Sequence, residues 1–416
     1  MKNLMYLIGK KANAALKNKV SSKQKNEVLG TYIYLIKKNK KLIISRNKKD
    51  LEFAIKKKLK NNLIERLRID EKKISNICTA IKKVKDLRDP VDFTLDKWKR
   101  PNKLLIKKVT IPIGVIGVIF ESRPNVSSDV SSLCFKSGNA VILRGGSESL
   151  NSNKILISLF RKALKMNKIN PDYVQLIEKK NRSYVDFLLS KMTNYIDVII
   201  PRGGKNLVAK VKKYSNVPTI GHLEGICHTY IDKDANLKMA IKISLNAKLR
   251  NTSICGATET ILMHKNILKK FCNPVLGELE KNNCKIIGDL NIKKFYKGKI
   301  LTSSKKDWST EYLSSKVSVK SVNNLEEAIN HINKYGTMHT DSIITKNEKT
   351  AKKFLKNIKS SIAIHNSSTQ FADGGEFGFG GEVGISTNKL PPRGPIGLNQ
   401  LVSYKYEVIG KGQIRK

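Results

Sequence analysis

The sequence predicts an α/β fold in which helices cover parallel β-sheets. Three largely apolar segments, at 111–120, 138–144 and 195–200, each lead into a turn and then into a helical pattern. Continuous apolar strands are typical of parallel sheets, because helices cover both faces. Helical and strand patterns alternate again between residues 266 and 365. Two α/β units in one chain follow.

The net charge is the most unusual bulk property of the chain. Its 416 residues include 80 Lys and Arg against 34 Asp and Glu, which gives a formal charge of +46. Because the lysines are spread along the whole chain and aromatic residues are sparse among them, we interpret this charge as a solvated surface. A nucleic-acid binder stays as an alternative, and it predicts salt-sensitive binding to DNA or RNA.

The cysteines indicate a reducing compartment. They are scattered singly, without the two-residue spacing of zinc or redox sites. Their positions are Cys78, Cys134, Cys227, Cys255, Cys272 and Cys284. We therefore expect free thiols and no metal. Since no apolar run is long enough for a signal peptide or a bilayer span, we expect a soluble cytoplasmic protein without membrane contacts.

The first 87 residues predict consecutive amphipathic helices, for example 49–60 and 71–84, with apolar positions three and four apart. From Val91 to Thr110 the pattern becomes strand-like, with a turn at 100–102. This hairpin is either an arm that reaches a partner subunit or a surface hairpin of the same molecule.

The apolar run 111–120 predicts one buried strand, and Glu121–Val126 follows at its carboxyl end. Open α/β sheets bind their ligands at that end of the strands. Asn125 is thus a candidate donor to a reacting carbonyl. Taken alone, the position favours a helix cap for the run that begins at Ser127.

Two further strand-to-helix turns are candidate cofactor sites. Gly145 and Gly146 follow one strand, where bare glycines let a cofactor approach the backbone, and Arg144 is a candidate partner for a ribose or its 2'-phosphate. Gly203 and Gly204 precede a predicted helix whose amino end suits a phosphate. Neither turn matches the dinucleotide fingerprint Gly-x-Gly-x-x-Gly.

Cys255 is the candidate nucleophile. It lies in a loop of small residues between a predicted helix at 236–249 and a strand at 260–263. The alternative is a small buried hydrophobe, as most free cysteines are. Cys227 and His228 do not form a metal site with a neighbouring histidine, because adjacent strand residues point to opposite faces. The glycine-rich segment 371–384 predicts an ordered binding loop.

Several segments together resemble the glutamate-5-semialdehyde dehydrogenases of the aldehyde dehydrogenase superfamily, in the right order and over essentially the full chain. They are PIGVIGVIFESRPN at 112–125, GNAVILRGG at 138–146, IPRGG at 200–204, GICH at 225–228, TSICGATET at 252–260 and the stretch 366–404. The resemblance implies an NADP-binding domain at 1–90 and 111–228, a catalytic domain at 229–386, and an oligomerisation arm at 91–110 and 387–416.

The resemblance also implies a reaction and its residues. NADPH would reduce L-glutamyl 5-phosphate to the semialdehyde in proline biosynthesis, through a thioester on Cys255 with Asn125 as oxyanion donor. A homo-oligomer and glutamate 5-kinase are the implied protein partners. The remaining implied residues line the cofactor (Arg144, Gly145, Gly146, Glu148, Gly203, Gly204, Glu376) or the substrate (Arg123, His339, Asn366, Ser367).

Two residues depart from the commoner family pattern, Gln370 in place of Arg and Glu224 in place of Asp. Either change would affect the amino-acid end of the substrate or a subunit contact, and neither touches the chemistry. A second alternative function is an ordinary aldehyde dehydrogenase that hydrolyses its thioester. It needs a carboxylate base near Cys255, for which Glu224 is the evident candidate, and it works without phosphate.

Overall fold

The computed structural model describes residues 1–59, 61–121 and 123–415. Lys60, Ser122 and Lys416, which belong to the predicted helix 49–60, the run 121–126 and the arm 387–416, lie outside the described residues. The chain divides into two compact units. The first unit comprises 1–221, 378–384 and 396–416, and the second comprises 222–377 and 385–395.

The first unit begins with helices, as predicted. Their bounds are α1 Lys2–Ala15, α2 Ser22–Lys38, α3 Lys40–Lys56, α4 Asn61–Leu67 and α5 Glu71–Asp86. The start of α2 is fixed by a capping box, in which Ser21 and Gln24 satisfy each other's backbone N–H groups. Tyr32 of α2 is fully buried, and its hydroxyl lies 2.8 Å from that of Ser128. The helices therefore pack through one apolar face onto the core of this unit.

The predicted hairpin is confirmed and gains a third strand. β1 Thr94–Lys99 pairs antiparallel with β2 Leu105–Pro112. The last strand of the chain, Val402–Ile409, pairs antiparallel with β2 over its whole length. The chain's carboxyl-terminal strand and the hairpin thus form one three-stranded sheet in the first unit, whose outer strands are mostly exposed. Its role in oligomerisation stays a prediction.

The core of the first unit is a four-stranded parallel sheet. Its strands and helices are β3 Val115–Phe120, α6 Asn125–Lys136, β4 Ala140–Arg144, α7 Leu150–Met166, β5 Val174–Leu176, α8 Ser183–Lys191, β6 Val198–Arg202 and α9 Lys205–Tyr214. The strand order is β5-β4-β3-β6. All six residues of β3 are buried, as the apolar pattern predicts.

One boundary differs from the prediction. The run 111–120 is divided between β2 and β3 at Ile113 and Gly114 instead of forming one strand. Gly114 has φ +131°, and a side chain there would overlap the Asp197 carboxylate. Val115 N–H donates to that carboxylate at 2.7 Å. The apolar pattern could not predict this break because both sides of it are apolar.

The second unit is built on a seven-stranded parallel sheet of order β10-β9-β11-β8-β7-β12-β13. Its elements are β7 Cys227–Ile231, α10 Leu237–Leu249, β8 Thr258–His264, α11 Leu268–Lys281, β9 Lys285–Gly288, α12 Leu290–Phe295, β10 Ile300–Thr302, β11 Lys316–Val322, α13 Leu325–Tyr335, β12 Thr340–Ile344, α14 Glu348–Asn357 and β13 Ile362–His365. The predicted α/β fold class is confirmed, and α10 and β8 lie close to the expected helix at 236–249 and strand at 260–263. Two short strands, β14 Ile385–Ser386 and β15 Gly394–Pro395, precede the carboxyl-terminal strand, β16 Val402–Ile409.

The unit boundary lies at Gly221, whereas the expected cofactor domain extends to residue 228. Residues 222–228, with the first residues of β7, belong to the second unit. The hairpin and β16, expected in a separate arm, belong to the first unit. No helix in the described part of the chain is long and apolar enough to cross a bilayer.

Candidate active site

Cys255 lies in the short loop between α10 and β8, where the sequence places it. It is half-buried, whereas the other five cysteines are buried. Two local hydrogen bonds shape the loop: Ser253 N–H donates to the Asn251 side chain at 3.0 Å, and Ala257 N–H to the Ile254 carbonyl at 3.0 Å. Cys255 is therefore the cysteine of this chain whose thiol is most accessible to a substrate.

Two residues just before and within β7 hold the loop from the other side. The Cα of Gly225 faces the backbone of Cys255 so closely that a side chain at 225 would overlap the Cys255 carbonyl. The Cys227 thiol donates to the same carbonyl at 3.1 Å. Burial raises the pKa of Cys227 well above its usual value, so it stays a thiol. Cys227 thus positions the loop and is not itself a nucleophile.

Gln370, which the sequence shows only as a departure from the family pattern, is a positioning residue for the segment that leads to Cys255. Its side chain is buried and makes three hydrogen bonds to the segment before Cys255. It accepts from Arg250 Nε at 2.9 Å and donates to the carbonyls of Ala247 at 3.0 Å and Asn251 at 3.2 Å. The Gln370 side chain, which departs from the family pattern, is therefore hydrogen-bonded within the chain.

Two histidines lie beside Cys255. One ring nitrogen from each of His222 and His339 and the Cys255 sulfur all lie within 4.8 Å of one another. The two imidazole rings pack edge to face, with centroids 4.8 Å apart. His339 was predicted as a substrate residue, and His222 was not selected. Cys227 and His228 point to different groups, as predicted, since His228 pairs with Asp341 at 2.9 Å.

The other substrate candidates differ in their surroundings. Asn366 has φ +54°, and its side-chain amide bonds both backbone groups of Thr345, each at 2.9 Å. The Ser367 carbonyl accepts from the Ser342 hydroxyl at 2.7 Å. Glu376 lies in a turn closed by the Asp373 side chain and is exposed. Asn366 thus stabilises the end of β13, and the substrate and cofactor roles of these residues stay predictions.

In the first unit, Asn125 begins α6 instead of capping it. The cap position is Pro124, and the Asn125 amide donates to Asp129 Oδ2 at 3.0 Å. The helix-cap interpretation is therefore wrong, and the amide bonds a carboxylate of the same helix, in the segment that follows β3. Desolvation raises the pKa of Asp129 to about 6, and its second oxygen has no partner among the described residues. Arg123 is half-buried just before this helix.

Arg144, at the end of β4, is more constrained than the sequence indicates. Its guanidinium is buried and donates to the carbonyls of Gly145 at 2.7 Å and Lys180 at 3.0 Å. Burial lowers its pKa. A side chain at Gly146 would overlap the Glu148 carboxylate, and one at Gly145 would overlap Asn153 and Phe120. Packing therefore favours glycine at 145 whether or not a cofactor binds, whereas a side chain at 146 would require only that the Glu148 carboxylate move.

The second glycine turn has an acidic partner that sequence reasoning did not select. Glu121 accepts from Gly204 N–H, the cap residue of α9, at 2.9 Å. A side chain at Gly203 would overlap this carboxylate, whereas one at Gly204 would have it only at 3.8 Å. Since anions are stabilised at helix amino ends, Glu121 occupies a position suited to a phosphate.

A buried ion pair supports the strand that follows Cys255. Lys248 of α10 and Glu259 of β8 are both fully buried, with Nζ and Oε2 2.5 Å apart. Desolvation raises the pKa of Glu259 to about 7 although the Lys248 cation opposes this. Glu259 is thus engaged in this pair and not presented as a base.

Comparison with known proteins places these residues in a known context. Residues 8–289 match the aldehyde dehydrogenase family. The gamma-glutamyl phosphate reductase of Bartonella tribocorum is 46% identical over 410 residues, which cover 98% of this chain and all of the relative. The crystal structure of the gamma-glutamyl phosphate reductase of Thermotoga maritima superposes with a TM-score of 0.96 at 38% identity, over 99% of each chain. An engineered glycolyl-CoA reductase with bound NADP+ shares the fold, with a TM-score of 0.70 at 17% identity over 97% of this chain and 96% of that one.

Proposed function

This chain belongs to the aldehyde dehydrogenase family, among its gamma-glutamyl phosphate reductases, and we propose that it reduces L-glutamyl 5-phosphate to L-glutamate 5-semialdehyde with NADPH, releasing phosphate. The observation that carries the proposal is the half-buried Cys255 thiol in a loop that Gly225, Cys227 and Gln370 hold in place. This reaction is the second step of proline biosynthesis from glutamate. A cytoplasmic location, a homo-oligomer and glutamate 5-kinase as a partner stay predictions.

The chemistry that we assign to Cys255 is acyl transfer. Its thiolate attacks the acyl carbon of the acyl phosphate, a C–S bond forms, the bond from carbon to the phosphate oxygen breaks, and inorganic phosphate leaves. During this attack, negative charge develops on the carbonyl oxygen of the substrate. The backbone N–H of Cys255 and the amide of Asn125 are the proposed hydrogen-bond donors to this oxyanion. NADPH, when bound, supplies the hydride that reduces the resulting thioester. Cys255 leaves the product as a thiolate and is ready for another cycle.

The turns after β4 and β6 have one feature that favours nucleotide binding and one that disfavours it. Gly204 has space on its Cα face and caps a ten-residue helix, as a phosphate site requires. The Glu121 carboxylate already accepts from Gly204 N–H, so a phosphate there would displace it. We propose that Gly203, Gly204, Arg144 to Gly146 and Glu148 contact the cofactor and that Glu376 contacts its nicotinamide ribose.

The proposal is tested by running the reaction in the aldehyde-oxidising direction. Purified protein is given glutamate 5-semialdehyde and NADP+, with and without inorganic phosphate, beside the Cys255→Ala and Cys272→Ala variants. We expect NADPH formation only when both phosphate and Cys255 are present, and Cys272→Ala serves as the matched thiol control. Equal activity without phosphate would favour hydrolysis with Glu224 as base, and activity in Cys255→Ala would remove the proposed nucleophile.

A further inference from the structure

The two histidines beside Cys255 have a geometry that acyl transfer to the thiol does not require. We infer that Cys255, His222 and His339 form a binding site for a thiophilic divalent cation such as Zn²⁺, which reversibly blocks the nucleophile. Thiolate and imidazole are the ligands that zinc prefers in proteins. Among residues 1–59, 61–121 and 123–415, this is the one group of three or more such side chains whose donor atoms converge.

The hydrogen bonds of both rings are compatible with coordination. His222 Nδ1 lies 2.8 Å from the Ile385 carbonyl, which can only accept, so Nδ1 carries a proton. His339 Nδ1 lies 2.9 Å from the Thr340 hydroxyl. Metal-binding histidines usually donate their second ring N–H to a carbonyl or another oxygen, which fixes the ring and the tautomer. His222 has this arrangement, and His339 Nδ1 faces two groups that can accept its proton, the Thr340 hydroxyl and, at 3.6 Å, the Cys227 sulfur.

The Nε2 atom of His339 provides an independent indication of a ligand. His339 is fully buried, and its Nε2 has no hydrogen-bond partner within the described part of the chain. A buried polar atom without a hydrogen bond destabilises the folded state. A cation bound at Nε2 would satisfy it. His228 and His331 also have an unpartnered Nε2, but neither belongs to a converging cluster with a thiol.

The dimensions require a small closing movement. Ligand atoms around a tetrahedral zinc ion lie about 3.5 Å apart, whereas these lie within 4.8 Å. Small side-chain rotations of Cys255 and His222, which are both half-buried, would bring the donor atoms closer together. Three protein ligands leave a fourth position for water, so the site is open and its occupation reversible. Binding also releases the thiol proton, because zinc coordinates the thiolate.

The global charge does not assist this binding. A net charge of +46 repels cations, although salt at physiological strength screens exposed charges beyond about 8 Å. The affinity must therefore come from coordination, and single-ligand variants should lose most of it. The binding does not depend on the proposed reaction, whereas the inhibition rests on Cys255 being the nucleophile.

The binding test uses the full-length, metal-free protein, with Zn²⁺ titrated in competition with a chromogenic chelator. We expect one tight equivalent per chain, weakened at least ten-fold in Cys255→Ala, His222→Asn and His339→Asn. His365→Asn is the matched control and should bind as the parent protein does, because its ring contacts the Thr345 carbonyl instead. Equal affinity of all four variants for Zn²⁺ would contradict the proposed site.

A second test uses the parent protein alone and needs neither substrate nor a variant. Iodoacetamide alkylates accessible thiols, and peptide mass mapping follows Cys255 alone. Equimolar Zn²⁺ should slow its alkylation at least ten-fold, and EDTA should restore the rate. An unchanged rate in saturating zinc would contradict the inference. If zinc slows alkylation of Cys255 but the protein does not reduce the acyl phosphate, the zinc site is supported and only the proposed function is contradicted.

Discussion

The glycine turn after β4 and the Cys255 loop are both short connections of small residues, yet different contacts hold them. In the turn, two contacts join neighbours in sequence, since Arg144 donates to the Gly145 carbonyl and Glu148 lies against Gly146, and one distant contact joins Arg144 to the Lys180 carbonyl. In the loop, Cys227 is 28 residues from the Cys255 carbonyl it contacts, and Gln370 is 119 residues from that of Asn251. Local contacts can be recognised in a sequence, and the distant ones determine where the nucleophile lies.

Of the substitutions that distinguish the Cys255 loop from the glycine turn, Gly225→Ala is expected to lower kcat the most. Gly225→Ala introduces a methyl group that overlaps the Cys255 carbonyl, so the loop must move. Since a displacement of about 1 Å at a reacting group can cost a hundred-fold in rate, we expect kcat to fall by about that factor. Steady-state NADPH formation measures it.

Gly277→Ala is the control, because a methyl group at that helical position meets no atom within 4 Å. It should keep full activity and be slightly more stable, since glycine disfavours helix interiors. Equal rates in Gly225→Ala and Gly277→Ala would mean that the loop does not depend on this distant contact.

Two acids with raised pKa values, the half-buried Asp129 and the buried Glu259, should respond oppositely to removal of their charge. The pKa of Asp129 rises from 3.8 to about 6 on burial. This rise corresponds to roughly 3 kcal/mol of lost stability above pH 6, and the loss disappears as both states become protonated towards pH 3. We expect Asp129→Asn to stabilise the protein at pH 8 by up to about that amount, and by about half as much at pH 5.

Glu259→Gln is the contrasting variant, because it leaves Lys248 buried without its anion. It should destabilise the protein by about 3 kcal/mol at pH 8. Urea unfolding at pH 5 and pH 8 measures both variants. A pH-independent effect of Asp129→Asn would show that its carboxyl is not titrating as the burial indicates.

A smaller effect is expected at Gln370. Gln370→Ala removes three hydrogen bonds to the segment before Cys255, each with a net value of about 1 kcal/mol. Because the loop keeps its contacts with Gly225 and Cys227, we expect kcat to fall only about ten-fold. Gln413→Ala, which removes a bond to the Asn102 carbonyl in the exposed sheet of the first unit, should leave kcat unchanged. A matching loss in both variants would indicate a general effect on stability.

The smallest effect is expected at the turn after β6. Glu121→Gln keeps an acceptor for Gly204 N–H but removes the negative charge at the start of α9. If a cofactor phosphate binds there, its affinity should improve, because a helix-end charge is worth about 0.3–1 kcal/mol. We expect the KM for NADPH to fall about two- to five-fold with kcat unchanged. A raised KM would mean that Glu121 positions the turn for the cofactor.

The sequence predicts the fold because its signals are local, whereas most of the candidate site residues come from the resemblance to a family. The buried strands, the hairpin and the Cys255 loop follow from composition and periodicity over about ten residues, although the run 111–120 is two strands instead of the one predicted. The contacts of Gln370, Glu121 and His222 could not be predicted, since each residue bonds a segment that is distant in the chain. The glycine at 225 offered a signal, because it stands directly before a buried strand, but its contact with Cys255 depends on the parallel pairing of β7 and β8.

The central claim is that the nucleophile of this chain is Cys255 and that phosphate, not water, resolves its thioester. A rapid-quench experiment with glutamate 5-semialdehyde and NADP+ tests it most directly. Without phosphate, we predict a burst of one NADPH per chain followed by slow turnover, and with phosphate, sustained turnover at the burst rate. Cys255→Ala should show no burst. Sustained turnover without phosphate, or a burst in Cys255→Ala, would contradict the account.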